Sequence, residues 1–381
     1  MIRLVIDASQ IRSGGGLTHL TQLLHAADPG SFGIERVQVW SPRKTLEQLP
    51  SRPWLVPCHH PLLEHGVAQR AYWQRKVLPR VAPRDQAFLF VPGGIYVGPS
   101  RPYVTMLQNL LPSSAAERGR YRYSRLWVRL LLLRWAHVRT LACARGVIFL
   151  NQHSQNQFGC RNGIPRWRSR VICHGVDDRF RREPRVPRAI SRCTAADPFR
   201  LLYVSSIDLY KHQWNVVEAV GLLRRKGLPV ALELVGAAAP LAEPRLRSAI
   251  ARVDPQGSFV SYRGLAPYVE LPATYHQADA FVFASSCEGF PITLAEAMGA
   301  GLPIACSRCD PLPEVLGDGG VYFHPESPGD IAAALETLLL DLELRTRIAW
   351  AAYNRARQYT WQRCAQQTFA FLAEVAQREG Q

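Results

Sequence analysis

The chain has 381 residues, enough for two cores at roughly 100–200 residues per domain, so a single small stapled module is excluded. Apolar residues make up 47% and charged residues 20%, which rules out wholesale disorder, collagen-like repeats and low-complexity sequence. Lys and Arg number 46 against 30 Asp and Glu, a formal charge of +16, so part of the surface attracts polyanions or acidic lipid; charge alone does not choose between them. The nine cysteines are odd in number and scattered, which fits a reducing compartment better than a disulfide scaffold. Cys306 and Cys309 form the one close pair, with no second pair or His cluster beside them in sequence, and no four-ligand zinc site is expected there. The start, MIRLVIDASQ, lacks a signal-peptide apolar region and reads as a strand. No uncharged apolar run reaches the ~18 residues needed to cross a bilayer, so a soluble or surface-bound protein is expected.

Short β-branched runs recur between helix-length stretches, at residues 2–7, 37–40, 87–91, 103–106, 146–150, 170–173, 201–204, 231–235, 259–262, 280–283, 304–306 and 320–323. Nearly all-apolar strands separated by helices indicate parallel sheets covered on both faces, an α/β class. Between residues 181 and 199 lies RREPRVPRAISRCTAADPF, dense in Arg, Pro and small residues and without an apolar period, as in a linker. It halves the chain. The expected organisation is an N-terminal Rossmann-like domain over 1–185, a linker over 186–198, a second such domain over 199–357, and a final helix over 358–381 that has the option of crossing back to the first domain. Two doubly wound domains would face one another over a cleft, where such sheets place ligands at strand carboxyl ends.

The first strand ends at Asp7, and a short loop leads to Ser13-Gly14-Gly15-Gly16 and an apolar-periodic helix. Such glycines let backbone amides and the positive helix end approach an anionic group; a flexible turn between strand and helix is the plain alternative. A dinucleotide fingerprint would need Gly where His19 stands, and the Gly-Lys-Ser/Thr of a P-loop is absent. His19 is either a polar group facing the cleft or an ordinary helix-surface histidine.

Residues 275–307, YHQADAFVFASSCEGFPITLAEAMGAGLPIACS, are the most informative. A buried strand ends at Ala284, a loop presents Cys287-Glu288-Gly289-Phe290-Pro291, and a helix follows that carries Thr293 and Glu296. Glu288 lies at the strand's carboxyl end and Glu296 more than a turn into the helix. A carboxylate accepts hydrogen bonds in pairs, which suits vicinal hydroxyls of a sugar or ribose, and the amides at Ile292, Thr293 and Leu294 suit a phosphate.

Glu288-Gly-Phe-Pro-Ile-Thr-Leu-Ala-Glu296 closely resembles the E-x7-E signature of family 4 glycosyltransferases, retaining enzymes of the GT-B fold. The resemblance extends over nearly the whole chain. His174-Gly-Val-Asp177 is similar to the family's segment before the interdomain linker, with His174 as a positioning residue, and Lys211 in Tyr210-Lys211-His212 resembles the donor-phosphate lysine. Gly236 at the end of Glu233-Leu-Val-Gly, together with Arg263, Gly264 and Leu265, resembles the loops near the nucleobase. The resemblance implies transfer of a hexosyl group from a nucleoside-diphosphate sugar with retained anomeric configuration. In that picture Glu288 grips the transferred sugar, Glu296 the ribose hydroxyls and Lys211 the diphosphate, while Gly15 and Gly16 approach from the other domain. On resemblance alone, a GDP-mannose-type donor is favoured over a UDP-hexose, with a saccharide or lipid-linked saccharide of a cell-surface polysaccharide as acceptor.

Two departures stand out. The family's Gly-Arg after the first strand of the second domain is replaced by Val204-Ser205-Ser206, so leaving-group charge rests on Lys211 and backbone dipoles, with Ser206 at the donor. Its His-Asp pair at a first-domain strand end is replaced by Gln108-Asn109, neutral groups that can position a hydroxyl but cannot act as a proton base; a purely structural role is the alternative. No Asp-x-Asp occurs, so no obligatory metal or other cofactor is expected. Replacing Glu288 by Gln or Ala is expected to abolish transfer with little loss of fold. A nucleotide-sugar epimerase on the same fold and a basic nucleic-acid-binding protein are the competing functions; the latter lacks any recognisable nucleic-acid module.

From residue 118 to 145 the sequence RGRYRYSRLWVRLLLLRWAHVRTLACAR is rich in Arg, Leu, Trp and Tyr. Taken as one helix, it brings Arg118, Arg122, Arg125 and Arg129 within about 60° of one another. Such a stripe suits an anionic lipid surface, giving a cytoplasmic protein that sits peripherally on the inner face of the membrane. A solvated helix face is the plainer reading.

Overall fold

The computed structural model describes residues 2–82 and 87–379. Two compact units result: Met1–Gly175 with Thr360–Gln381, and Val176–Tyr359. The first unit is built on β1 (Ile2–Asp7), β2 (Ile34–Trp40), β3 (Leu55–Cys58), β4 (Phe88–Val91), β5 (Tyr103–Leu107), β6 (Gly146–Phe149) and β7 (Ser169–Val171). Their order is β3-β2-β1-β4-β5-β6-β7, and every pairing is parallel. The second unit carries β8 (Phe199–Val204), β9 (Val230–Val235), β10 (Val260–Gly264), β11 (Ala280–Phe283), β12 (Ile304–Ser307) and β13 (Gly320–Phe323) in the order β10-β9-β8-β11-β12-β13, again all parallel. Both sheets reverse direction of growth beside their first strand, the doubly wound arrangement.

All twelve expected strands are present, and a thirteenth, β3, is added whose LVPC sequence is disguised by Pro57. Proline donates nothing to a ladder, and β3 accommodates it as an edge strand with β2 as its one neighbour. Central strands such as Ala280–Phe283 are buried at every position, which explains their unbroken apolar runs. Tyr275, Phe281 and Phe283 stack in sequence at centroid distances of 5.6 and 6.0 Å under the second sheet. Each such side chain contributes about 1.5–3 kcal/mol by leaving water.

The domain boundary differs from the expected 185/186. The chain leaves the first unit at Gly175, and residues 176–198 belong to the second unit rather than forming a free linker. The Val176 amide donates to Tyr359 O (3.0 Å) and that of Arg182 to Gly299 O (2.9 Å), while the Arg188 guanidinium donates to Pro198 O (2.7 Å) and Asp279 (3.2 Å). Arginines anchored on carbonyls leave no apolar period, so the segment reads as a linker although it is a strap. The last helix, Trp361–Glu379, packs in the first unit against the helix Gly14–Ala26. Where that helix begins, a Cβ placed on Gly175 would fall on the Trp361 amide nitrogen, so only glycine fits. No helix among the described residues is long and apolar enough to cross a membrane.

Candidate functional site

In the second unit, four loops leave the carboxyl ends of β8, β9, β10 and β11. The loop after β8 carries Ser206 and Lys211 and is stitched to the loop after β11: the Ser286 amide donates to Tyr210 O (2.8 Å), and His212 Nε2 lies 3.0 Å from Ser286 Oγ. Tyr203 hydroxyl, rising from the core, donates to Lys211 O at 2.6 Å. This fixes the lysine backbone. Its ammonium forms an ion pair with Glu288, with side chains only 7% and 12% exposed. Lys211 Nζ also sits 5.0 Å from the Tyr210 ring centroid and 5.3 Å from that of Phe283. Two residues 77 apart in sequence, both singled out from sequence, are thus brought into direct contact. The nearly buried pair meets the lysine's charge in place of any external anion.

Glu296 lies one helical stretch further on, in the helix Ile292–Gly299, and is 1% exposed. Its two oxygens accept from Tyr268 (3.3 Å) and Tyr275 (3.2 Å). Burial raises its pKa to about 8, against the lowering by the two tyrosine hydroxyls, with Asp177 adding to the rise and Arg179 opposing it. Among the helix-start amides, that of Ile292 already donates to Phe290 O (3.0 Å), which leaves Thr293 and Leu294 without an intrahelical acceptor. The Leu294 side chain is core, and Thr293 O lies 3.1 Å from the Tyr275 hydroxyl and shares its one proton with Glu296. Gly289, Phe290 and Pro291 form the buried connection into the helix, Phe290 packing edge-on against Tyr359 at 5.5 Å.

The loops near Gly236 and Arg263 have sharper constraints. Gly236 has φ 147°, and a Cβ there would strike Ser205 O, so β8 and β9 can approach at their ends only with glycine at this position. Its amide donates to Gly264 O (2.8 Å). Ser206 O is taken by the Gln213 side chain at 2.9 Å. Arg263 is held by Glu270 and Thr274, and Leu265 is 79% exposed beside it.

In the first unit, Gly15 is exposed and Gly16 half-exposed at the start of the helix Gly14–Ala26, and Gln108 Oε1 would lie 3.6 Å from a Cβ on Gly16. Gln108 Nε2 donates to Pro92 O (3.0 Å), and Asn109 Oδ1 accepts from the Leu111 amide (3.0 Å) in a turn. Both therefore have structural work at the end of β5. His19 and His174, expected as positioning residues, lie in the interior of the first unit. Both are buried, with ring centroids 4.5 Å apart and Trp361 beside them, and burial holds His19 neutral with its pKa lowered to about 3. The apolar face of the helix, with Leu20, Leu23 and Leu24, takes His19 inward.

The basic stripe also changes. Residues 118–145 form two helices, Ala115–Gly119 and Arg125–Cys143, broken where Tyr123 adopts φ 66°. Arg118 is buried and donates to Pro112 O at 2.7 Å, so it leaves the stripe; Arg122 lies in the break over the Tyr123 ring. The exposed face of the longer helix instead joins Arg125 and Arg129 to Val128, Leu132 and Trp135, the last two 65% and 63% exposed.

Sequence reasoning missed Tyr268, Tyr275 and the Asp177–Arg179 pair that surround Glu296. Arg179 donates to Asp177 (2.8 Å) and lies 5.4 Å from the Tyr268 ring centroid. Asp177 closes the His174-Gly-Val-Asp segment, but neither tyrosine carries a sequence signal, since 28 and 21 residues separate them from Glu296. A cavity of about 350 Å³ lined by Arg185, Arg188, Phe199, Asp279 and Arg345 opens at the amino ends of β8 and β11, the edge opposite Glu288. It takes no part in this site.

Comparison with known proteins places a domain of the glycosyl transferases group 1 family at residues 193–355. The chain is 36% identical over 110 residues to the O-antigen chain mannosyltransferase B of Escherichia coli, covering 29% of each chain. It is 28% identical over 200 residues to a D-inositol 3-phosphate glycosyltransferase of Paenarthrobacter aurescens, covering 51% of this chain and 48% of that one. These matches thus span less than half of the curated relatives' length. Among solved structures, the Anabaena HepE protein in complex with UDP superposes with a TM-score of 0.68 at 20% identity, over 97% of this chain and 98% of that one. That likeness gives the fold, GT-B.

Proposed function

We propose that this chain, whose residues 193–355 form a glycosyl transferases group 1 domain on a GT-B fold, is a retaining, metal-independent hexosyltransferase using a nucleoside-diphosphate sugar. The observation that carries the reading is the nearly buried Lys211–Glu288 pair at the carboxyl ends of β8 and β11. On donor arrival the diphosphate takes over Lys211, and Glu288, released, accepts hydroxyls of the transferred sugar. Lys211 and the Thr293 and Leu294 amides then stabilise the charge that develops as the diphosphate departs, the largest single contribution expected for such a reaction. Glu296 accepts the ribose hydroxyls between Tyr268 and Tyr275. A glycosidase would set its two carboxyls astride one bond as acid and base or nucleophile; here one carboxyl is paired with lysine and the other with tyrosines.

The mannosyltransferase relative supports a GDP-mannose-type donor, and the UDP bound to HepE supports a UDP-sugar as the second candidate. The acceptor is a saccharide or lipid-linked saccharide of a cell-surface polysaccharide. The exposed Arg125, Val128, Arg129, Leu132 and Trp135 face suits peripheral docking on the anionic inner face of the cytoplasmic membrane, charge meeting headgroups and Leu and Trp entering the interface. The test is a thermal-shift screen of GDP, UDP, dTDP and ADP, followed by transfer assays with the matching sugar without added magnesium or manganese. One nucleotide should raise the melting point and its sugar should turn over with retention. No shift with any nucleotide, or inversion in the product, refutes the reading.

A further inference from the structure

The first unit contains a cluster that donor chemistry does not use. His19 from the helix Gly14–Ala26, His174 just beyond β7, and Cys364 on the helix Trp361–Glu379 converge in the interior, with one potential ligand atom from each lying within 4.8 Å of the other two. All three are buried, and His19 is completely enclosed. Neither ring nitrogen of His19 has a hydrogen-bond partner. Buried polar atoms without partners are costly and rare, and an imidazole with both nitrogens in that state calls for a ligand.

We propose that His19, His174 and Cys364 bind a zinc ion. Two imidazoles and a thiolate form a borderline-to-soft donor set that selects zinc over magnesium or calcium, and zinc sites with three protein ligands complete a tetrahedron with water. With metal–ligand bonds of about 2.0–2.3 Å, donor atoms in such a site stand about 3.3–3.8 Å apart, so the three side chains close inward by about an ångström on binding. The Cys364 thiol gives its proton to solvent as the Zn–S bond forms; no electron is transferred.

The position in the chain indicates the consequence. His174 immediately precedes Gly175, where the chain leaves the first unit, and Cys364 follows Thr360, where it returns. The ion ties both crossings to the helix that begins with the glycine loop, and so holds the two chain segments of the first unit together. Its effect is on the integrity of the first unit, and it binds with or without nucleotide, which separates this site from the proposed donor chemistry.

The test uses the full chain, stripped with chelator and dialysed against zinc or cobalt without nucleotide. One equivalent should bind with micromolar or tighter affinity, the cobalt form should show a thiolate-to-metal charge-transfer band, and the melting transition of the first unit should rise. Cys364→Ala should lose the band and weaken binding by at least about tenfold, and His19→Ala should do the same. Replacing the exposed Cys143 and Cys160 with Ser should change neither. If His19→Ala fails to fold, the wild-type spectrum and Cys364→Ala, a small-for-small exchange, still decide. Absence of a bound equivalent, or a band that survives Cys364→Ala, overturns the proposal.

Discussion

The contact between Lys211 and Glu288 predicts that neutralising either partner destabilises the second unit before any question of catalysis arises. Both side chains are nearly enclosed, and Lys211 rests over Phe283 and Tyr210 rather than in open water. Removing one member of a buried ion pair leaves an uncompensated charge and costs about 3–5 kcal/mol. Glu288→Gln keeps an acceptor oxygen and should fall at the low end, about 3 kcal/mol. For a domain of this size that corresponds to a fall of about 6–12 °C in its transition. Lys211→Met should cost about as much, whereas the double variant should lose little more than either single one, because both charges are then gone. Differential scanning calorimetry reads the transition, and hydrogen exchange at amides of the second unit assigns it. Transfer by Glu288→Gln, assayed well below its melting point, should still be lost by about a hundredfold or more. The sequence reading expects little loss of fold in this variant; the ion pair, which is not legible in sequence, adds a measurable fall in stability to that expectation. Single-variant shifts near zero, or a double variant that sums two large losses, would refute the reasoning.

Glu296 gives a pH dependence. Its pKa of about 8 in the folded chain lies above its ordinary 4.5, so the native state holds a proton that the unfolded state releases between those values, and stability falls as pH rises through that window. The unfolding midpoint at about pH 6 and about pH 8 should differ in the wild type, with a smaller difference in Glu296→Gln. Gly236→Ala should cost about 3 kcal/mol, since it combines a left-handed φ with a Cβ that meets Ser205 O; an unchanged melting point would show that the β8 and β9 loops part freely. Replacing Leu132 and Trp135 with Ser, or Arg125 and Arg129 with Gln, should reduce flotation with anionic vesicles at unchanged stability. Arg118→Gln should instead lower stability by about 1–3 kcal/mol and leave flotation alone, because its guanidinium is spent on Pro112 O.

The sheets were legible because a parallel strand covered on both faces leaves an apolar run that no surface element imitates, and the lone omission, β3, is the strand whose proline disguises it. The loop-and-helix stretch around Glu288 was legible because its turn and helix signals are local. Pairings across the fold were not: nothing in sequence says that Lys211 reaches Glu288, or that Tyr268 and Tyr275 close over Glu296. Polar residue type was also a poor guide to exposure. His19, His174 and Arg118 look like surface groups, yet each is interior, the histidines by packing against Trp361 and the arginine by donating to a main-chain carbonyl. The boundary at Gly175 was displaced in the sequence reading because arginines strapped to carbonyls carry no hydropathy period.

On the proposed donor chemistry, the resting ion pair makes the two halves of the substrate depend on one another. A nucleoside diphosphate can draw Lys211 away from Glu288, but it offers the released carboxylate nothing in return; water entering the opened site meets part of the ~3–5 kcal/mol cost of an unpaired buried charge, and about 1–3 kcal/mol is left. A nucleotide sugar offers phosphate to Lys211 and hydroxyls to Glu288 in the same event. The complete donor should therefore bind about 5–150-fold more tightly than its nucleoside diphosphate, after allowing for the difference in charge between them. In Glu288→Gln the released side chain is neutral, so the penalty for the bare diphosphate shrinks and the preference should narrow markedly. Calorimetric titration of both ligands into both proteins measures the four affinities directly. If the preference for the sugar-bearing ligand is the same in the two proteins, Glu288 is not released by the donor, and its pairing with Lys211 is a fixed strut of the second unit.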